Sequence, residues 1–146
     1  TYKEADKLAD FTSHKLAYLS EKLAKTKKSE HKRFPGLDLW KACLQDDPRA
    51  RVELRKYNKL DVIATEEVYL VLAPWMEKHP NLTIYVDAKD PRCPTCSSKR
   101  LQCRGPAVTQ SSRYQRYHCQ NCGAWPRGKE QQISKDARKK LLVCAA

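Results

Sequence analysis

Two cysteine pairs, Cys93-Pro94-Thr95-Cys96 and Cys119-Gln120-Asn121-Cys122, constrain this chain more than any other feature. A gap of two residues closes a tight turn that aims both sulfurs at one ion. Two such turns complete a tetrahedral set at about 2.3 Å. Pro94 stiffens the first turn, and Gly123, just after the second, supplies a turn position without a Cβ. Twenty-two residues separate the pairs, slightly more than the about fifteen to twenty of a usual zinc spacing. The longer insert suits two β-hairpins better than a finger helix. Four thiolates leave no open coordination position, so the expected zinc is structural rather than catalytic. Two disulfides or idle thiols are the alternative, and doubled Cys-x-x-Cys spacing rarely arises by accident.

The other three cysteines, Cys43, Cys103 and Cys144, bring the total to seven. An odd number argues against an oxidised secreted framework and for a reducing compartment. His118, beside Cys119, is an alternative ligand, although a solvated or base-stacking role is commoner for such a histidine. The chain contains no uninterrupted run of eighteen apolar residues and nothing at its start like a signal peptide. These features lead us to expect a soluble, intracellular, cytoplasmic protein with no membrane partner. Position 1 is Thr, which reads as a processed or truncated piece of something longer.

The formal net charge of +12 is unevenly placed. Residues 89–146 carry thirteen Lys and Arg against three Asp and Glu, whereas residues 1–88 carry sixteen against fourteen. A small basic module joined to a near-neutral one points to a polyanion footprint on the C-terminal part. A merely solubilising surface would spread its charge more evenly.

The first half reads as helical. Ser13 is positioned to cap a helix that stacks Leu16, Leu19 and Leu23 on one face. Lys25 to Arg33 is polar and basic without apolar periodicity, which predicts a loop. After the Pro35-Gly36 turn, Leu37, Leu39, Trp40 and Leu44 predict a short apolar helix. Asp46-Asp47-Pro48 then starts a long helix, a carboxylate cap followed by proline at the first helical position, which ends near Pro74. Its last stretch, Val68 to Ala73, is apolar at every position and predicts burial all round, with a partner surface missing. Leu82, Ile84 and Val86 alternate with polar neighbours between Asn81 and Asp87, which predicts a half-buried strand. Ser134 is placed to cap a closing basic helix through Leu142. The expected organisation is therefore α+β: a mostly helical region over 1–88, a β zinc ribbon over 89–130 and a basic tail over 131–146.

Tyr57 and Asp61 lie four residues apart, so on a helix a phenol and a carboxylate share one face. A carboxylate can hold a divalent metal, and a nearby tyrosine hydroxyl can orient an attacking water. Between and after the cysteine pairs run Lys99, Arg100, Arg104, Arg113, Tyr114, Arg116, Tyr117, Trp125 and Arg127. On a strand, Arg113, Gln115 and Tyr117 would share one face, and Tyr114 and Arg116 the other. Basic groups neutralise phosphates while aromatic faces stack on unpaired bases, the pairing expected for single-stranded nucleic acid. The competing use of Tyr114, Tyr117 or Trp125 is to cover the small core of the ribbon.

Tyr57-Asn58-x-x-Asp61-Val62, followed by Thr65-Glu66, Tyr69, Pro74-Trp75 and His79-Pro80-Asn81, resembles the third exonuclease motif of DEDD-type 3′–5′ exonucleases. These belong to the ribonuclease H-like superfamily, and the likeness is to bacteriophage-type members of the tyrosine subgroup. Ser13-His14-Lys15-Leu16-x-x-Leu19 and Gly36-Leu37-x-Leu39-Trp40 are similar to segments around that motif, and Cys93 to Arg127 is similar to the terminal zinc ribbon of phage-type members. The resemblance implies a nuclease fold whose final helices are present here, a host-cytoplasmic location, and two Mg²⁺ or Mn²⁺ ions held by four carboxylates. Asp61 would be the last of those carboxylates, and Tyr57 would position the nucleophilic water. The first motif of the family, an Asp-x-Glu on the opening strand, has no counterpart, and neither Asp6 nor Asp10 sits in a matching context for the second. The expectation is a C-terminal portion of an exonuclease, inactive until an upstream portion or a second chain supplies the other carboxylates. Its ribbon would bind the substrate, with single-stranded DNA as the expected partner. Two alternatives stay open: a non-catalytic nucleic-acid-binding or replication accessory protein, and a module that docks a polymerase or transcription complex.

Overall fold

The structure, a computed structural model, describes residues 2–27 and 33–143. Its chain divides into two units, Thr1–Met76 and Glu77–Ala146. Together they make an α+β protein with helices and a three-stranded antiparallel sheet. The division falls ahead of the expected 88/89 boundary. Residues 77–88 pack with the ribbon, where the Leu82 N–H donates to the Pro94 carbonyl at 2.7 Å. Among the described residues no helix is long and apolar enough to cross a membrane.

In the first unit, α1 (Tyr2–Leu8), α2 (Leu16–Leu23) and α3 (Asp38–Leu44) lead into the long α4 (Pro48–Leu72). Asp46 and Asp47 divide the work at the α3–α4 junction. Asp46 takes a left-handed φ of 61° and closes α3: its N–H donates to the Cys43 carbonyl, and that of Asp47 to the Ala42 carbonyl at 3.0 Å. The Asp47 carboxylate then accepts from the Arg49 N–H at 2.8 Å, with Pro48 at the first helical position, as the sequence predicts. The helix runs to Leu72 and tightens into a 3₁₀ turn, Ala73–Trp75, that contains Pro74.

Ala5, Leu19, Val68 and Leu72 form the buried centre of this unit, ringed by Leu8, Phe11, Leu16, Leu23 and Met76. Two expectations need correction. Ser13 does not cap α2; its hydroxyl accepts from the Lys15 N–H at 3.4 Å, and Lys15 itself stands at the cap position. The Val68–Ala73 stretch is not buried all round. Val68, Leu72 and Ala73 face the core, whereas Leu70 and Val71 are 61% and 44% exposed, because α1 and α2 cover only one side of α4. Within α3, Leu39 is buried but Leu37 before it and Leu44 at its end are exposed. Beyond α2, the Glu67 carboxylate accepts the N–H groups of Lys25 and Thr26, both at 2.8 Å, and the Thr26 hydroxyl at 3.1 Å. The remainder of the expected 25–33 loop lies largely outside the described residues.

The second unit is built on a sheet of order β1 (Leu101–Val108), β2 (Arg113–Cys119) and β3 (Arg127–Gln131). Leu101 pairs with Cys119 and Val108 with Arg113, with an irregularity between Cys103 and Pro106; Arg116 pairs with Arg127. The expected strand over Asn81–Asp87 is instead a 3₁₀ turn, Leu82–Tyr85, with Ile84 77% exposed. Asn81 decides this. Its side chain accepts from the Thr83 N–H at 3.0 Å and the Thr83 hydroxyl at 2.6 Å, a local cap that competes with extended backbone. Ser134 caps α5 (Lys135–Lys139) by accepting from the Ala137 N–H at 3.2 Å. That helix stops well before Leu142, which is exposed.

Candidate functional site

Both cysteine pairs sit in the same backbone turn. Cys93 N–H donates to the Ser98 carbonyl and its carbonyl accepts from Ser97 N–H; Cys119 N–H donates to the Ala124 carbonyl and its carbonyl accepts from Gly123 N–H. Each turn needs a left-handed residue right after its second cysteine, Ser97 at φ 56° and Gly123 at φ 79°. Gly123 is legible in the sequence as that residue. Ser97 is not, although its position one step after Cys96 is the signal that could have revealed it.

The turns bring Cys93, Cys96, Cys119 and Cys122 together, all four sulfurs within 4.8 Å of one another. The Cys93–Cys122 and Cys96–Cys119 sulfurs are each 3.6 Å apart. Four sulfurs at zinc–thiolate distance from one ion stand about 3.8 Å apart, so this cluster can hold a metal ion such as zinc. Cys93 and Cys119 are fully buried and, with Ala124, form the core of the module, backed by Leu101. Burial pushes the thiols of Cys93 and Cys122 up. Burial also opposes ionisation of Cys119, but the N–H groups of Cys122 and Asn121 overcome it and bring that thiol down to about 7. The Asn121 side chain, which no sequence pattern singles out, donates to the Cys96 sulfur at 3.6 Å. Cys43 is half-buried on α3 and Cys103 exposed on β1, both outside the cluster, and Cys144 lies outside the described residues.

The expected basic and aromatic residues divide between two faces, as alternation along a strand predicts. Strand alternation puts Tyr114, Arg116 and His118 on one side of β2 and Arg113, Tyr117 and Cys119 on the other. On the first side, the Arg127 guanidinium lies 4.2 Å from the Tyr114 ring centre. Next to it, Arg116 lies 5.3 Å over Trp125. His118 stacks on the same indole at 4.4 Å and 28° rather than joining the metal ligands. Trp125 remains 51% exposed. Gln120 fixes the imidazole by donating to His118 Nδ1 at 2.9 Å. Arg116 also donates to the Arg104 carbonyl at 3.3 Å. The Ser112 side chain, and then Arg127, lower the Tyr114 phenol below its usual pKa. Lys99 pairs with Asp90 at 3.4 Å, and exposed Arg100 lies in the turn before β1. Tyr117 faces a separate cleft on the metal side.

Tyr57 and Asp61 both stand on α4, one turn apart. Asp61 lines a cavity of about 770 Å³ together with Val62, Thr65, Glu66 and Tyr69, four residues that follow it in the sequence motif. Tyr57 does not line it; its ring meets Trp40 edge-on at 6.2 Å and 80°. Glu4 also reaches that cavity, but among the described residues the four cysteines are the one group of three or more His, Cys, Asp or Glu placed closely enough to share an ion. Asp6 instead pairs with His14 at 3.5 Å. No family model, curated protein or solved structure matches the chain.

Proposed function

We propose that this chain binds single-stranded DNA on the Tyr114–Trp125 face of its ribbon, and that one structural zinc on Cys93, Cys96, Cys119 and Cys122 holds that face together. The observation that carries this reading is a pair of guanidinium–ring stacks side by side, Arg127 on Tyr114 and Arg116 on Trp125. Unpaired bases stack on such rings at about 1–3 kcal/mol each, whatever their sequence, while the guanidiniums neutralise phosphates. The concentration of positive charge in residues 89–146 supplies the long-range attraction.

Within the same reading, residues 1–76 are the C-terminal part of a DEDD-type 3′–5′ exonuclease with a ribonuclease H-like fold. The motif around Tyr57 and Asp61 supports it, as does the grouping of Asp61, Thr65, Glu66 and Tyr69 about one cavity. In a completed site Asp61 would help hold the catalytic Mg²⁺ or Mn²⁺, which activates water and stabilises the leaving oxygen. Among the described residues Asp61 belongs to no group of three or more His, Cys, Asp or Glu close enough to share an ion, which favours a second description of the chain taken alone, a non-catalytic DNA-binding protein.

One labelled oligothymidylate tests both parts. Arg116→Ala with Arg127→Ala should weaken its binding and flatten the log K against log salt slope by about 0.7 for each phosphate no longer neutralised. Arg113→Ala, on the other face, should do less. In Mg²⁺ or Mn²⁺ the label should stay full length, until a portion carrying the Asp-x-Glu motif is supplied in cis or as a second chain; Asp61→Ala should then block shortening. An unchanged salt slope refutes the face, and shortening by the unaided chain refutes the incomplete site.

A further inference from the structure

The side of β2 opposite the stacked rings carries a cleft of about 360 Å³. Leu101, Tyr117 and Pro126 give it apolar walls, while Arg92, Lys129 and Arg127 give it cationic ones, the Arg127 guanidinium itself being turned onto Tyr114. Its one carboxylate, Asp90, is engaged by Lys99 at 3.4 Å. Backbone bonds fix the walls: Leu82 N–H donates to the Pro94 carbonyl at 2.7 Å and Tyr117 N–H to the Pro126 carbonyl at 2.8 Å. Arg92 is the unusual member. Its Nη1 donates to the Ser97 carbonyl at 3.3 Å, but its Nε is buried without a hydrogen-bond partner. A buried donor on a charged group that lacks an acceptor is costlier than a neutral one, and it calls for an explanation such as a water, an ion or a ligand.

We propose that this cleft is a nucleoside monophosphate site. The volume lies within the about 300–1,000 Å³ of small-molecule pockets. The base and sugar would lie along Tyr117, Leu101 and Pro126, and the phosphate would accept from Arg92 and Lys129. An inorganic anion would use only the cationic end, and an uncharged nucleoside only the walls. The nucleotide class, though not the site, rests on the nucleic-acid reading of the module. The nucleotide comes either free or as the phosphorylated end of a strand.

Amide shifts on the full, zinc-loaded chain test this with deoxyadenosine monophosphate, deoxyadenosine and inorganic phosphate as probes. The monophosphate should shift Leu101, Tyr117 and Gly128 and leave Trp125 unmoved, with far weaker effects from the other two probes. Arg92→Gln should weaken its binding by about tenfold or more, the worth of a charge-assisted hydrogen bond. An oligothymidylate with a 5′-phosphate that shifts the same amides, when the unphosphorylated one does not, assigns the strand end; shifts with the monophosphate alone assign the free nucleotide. Absence of shifts with the monophosphate, or full affinity in an Arg92→Gln chain that retains its zinc, overturns the proposal. If Arg92→Gln loses its zinc, the exposed Lys129 decides, and undiminished affinity in Lys129→Gln is equally fatal. Arg116→Ala separates the two readings: lost oligothymidylate binding with intact monophosphate binding supports the cleft independently of the stacked face.

Discussion

The two units solve the same problem, too little apolar surface, in different ways. Residues 77–146 bury Cys93, Cys119 and Ala124 beside a three-stranded sheet, and among the described residues of this unit no large aliphatic side chain is fully buried. Residues 1–76 bury Leu19, Leu39 and Val68 and rely on ordinary helix packing. A core of four sulfurs that can hold one metal ion needs only a few residues if their spacing is right. A core of leucines is defined by area, and the helical unit leaves much of its area uncovered, including Val62, Leu70 and Trp75.

Metal removal is the strongest way to break this comparison. Structural zinc in small modules contributes about 10–16 kcal/mol of apparent folding free energy. Chelation, or Cys119→Ser, should therefore abolish amide protection across β1–β3 while the helical circular dichroism of residues 1–76 survives. Cys43→Ser should leave zinc per chain unchanged. Equal metal loss in the two variants would falsify the four-cysteine assignment.

Leu19→Ala probes the other unit. Removing a fully buried leucine costs about 2–5 kcal/mol through lost transfer energy and the cavity left behind. Thermal unfolding should show the helical transition lowered and the zinc content intact. A loss of zinc along with the helices would mean that the units are not energetically separate.

The smallest effect sharpens the comparison through pH. The N–H of Thr26, helped by its hydroxyl and by Lys25, holds the Glu67 carboxyl below the usual glutamate value. A depressed carboxyl contributes stability that is present above the ordinary pKa of about 4.3 and is lost as pH falls through the folded value. Glu67→Gln should thus lower the helical melting temperature slightly at neutral pH, where the contribution is present, and flatten the acid side of the curve below about pH 4.3, where wild type loses it as well. The ribbon should fail at higher pH than the helices, because metal binding needs thiolates. A Glu67→Gln chain with the same acid slope as wild type would show that this interaction does not couple protonation to folding.

Sequence alone settled several features that depend on neighbours along the chain. The cysteine spacing determined the four-sulfur cluster, because two residues between thiols fix their directions whatever surrounds them. Asp47-Pro48 determined the start of α4, because cap and proline act within one turn. Position 57 to position 61 on that helix was equally legible, since helical periodicity is local. Tertiary structure decided what depends on partners. Leu82, Ile84 and Val86 had the alternation of a strand but no strand beside them, and the Asn81–Thr83 bonds won. Val68 to Ala73 was apolar throughout, yet which side is buried followed from where α1 and α2 lie. Alternation along β2 already set Tyr114 and Arg116 opposite Arg113 and Tyr117, but the stack of Arg127 on Tyr114 needed the pairing of β2 with β3, which brings the two together from across the sheet. Local geometry is written in short-range sterics and hydrogen bonds, whereas burial and stacking are set by segments that lie far apart in the chain.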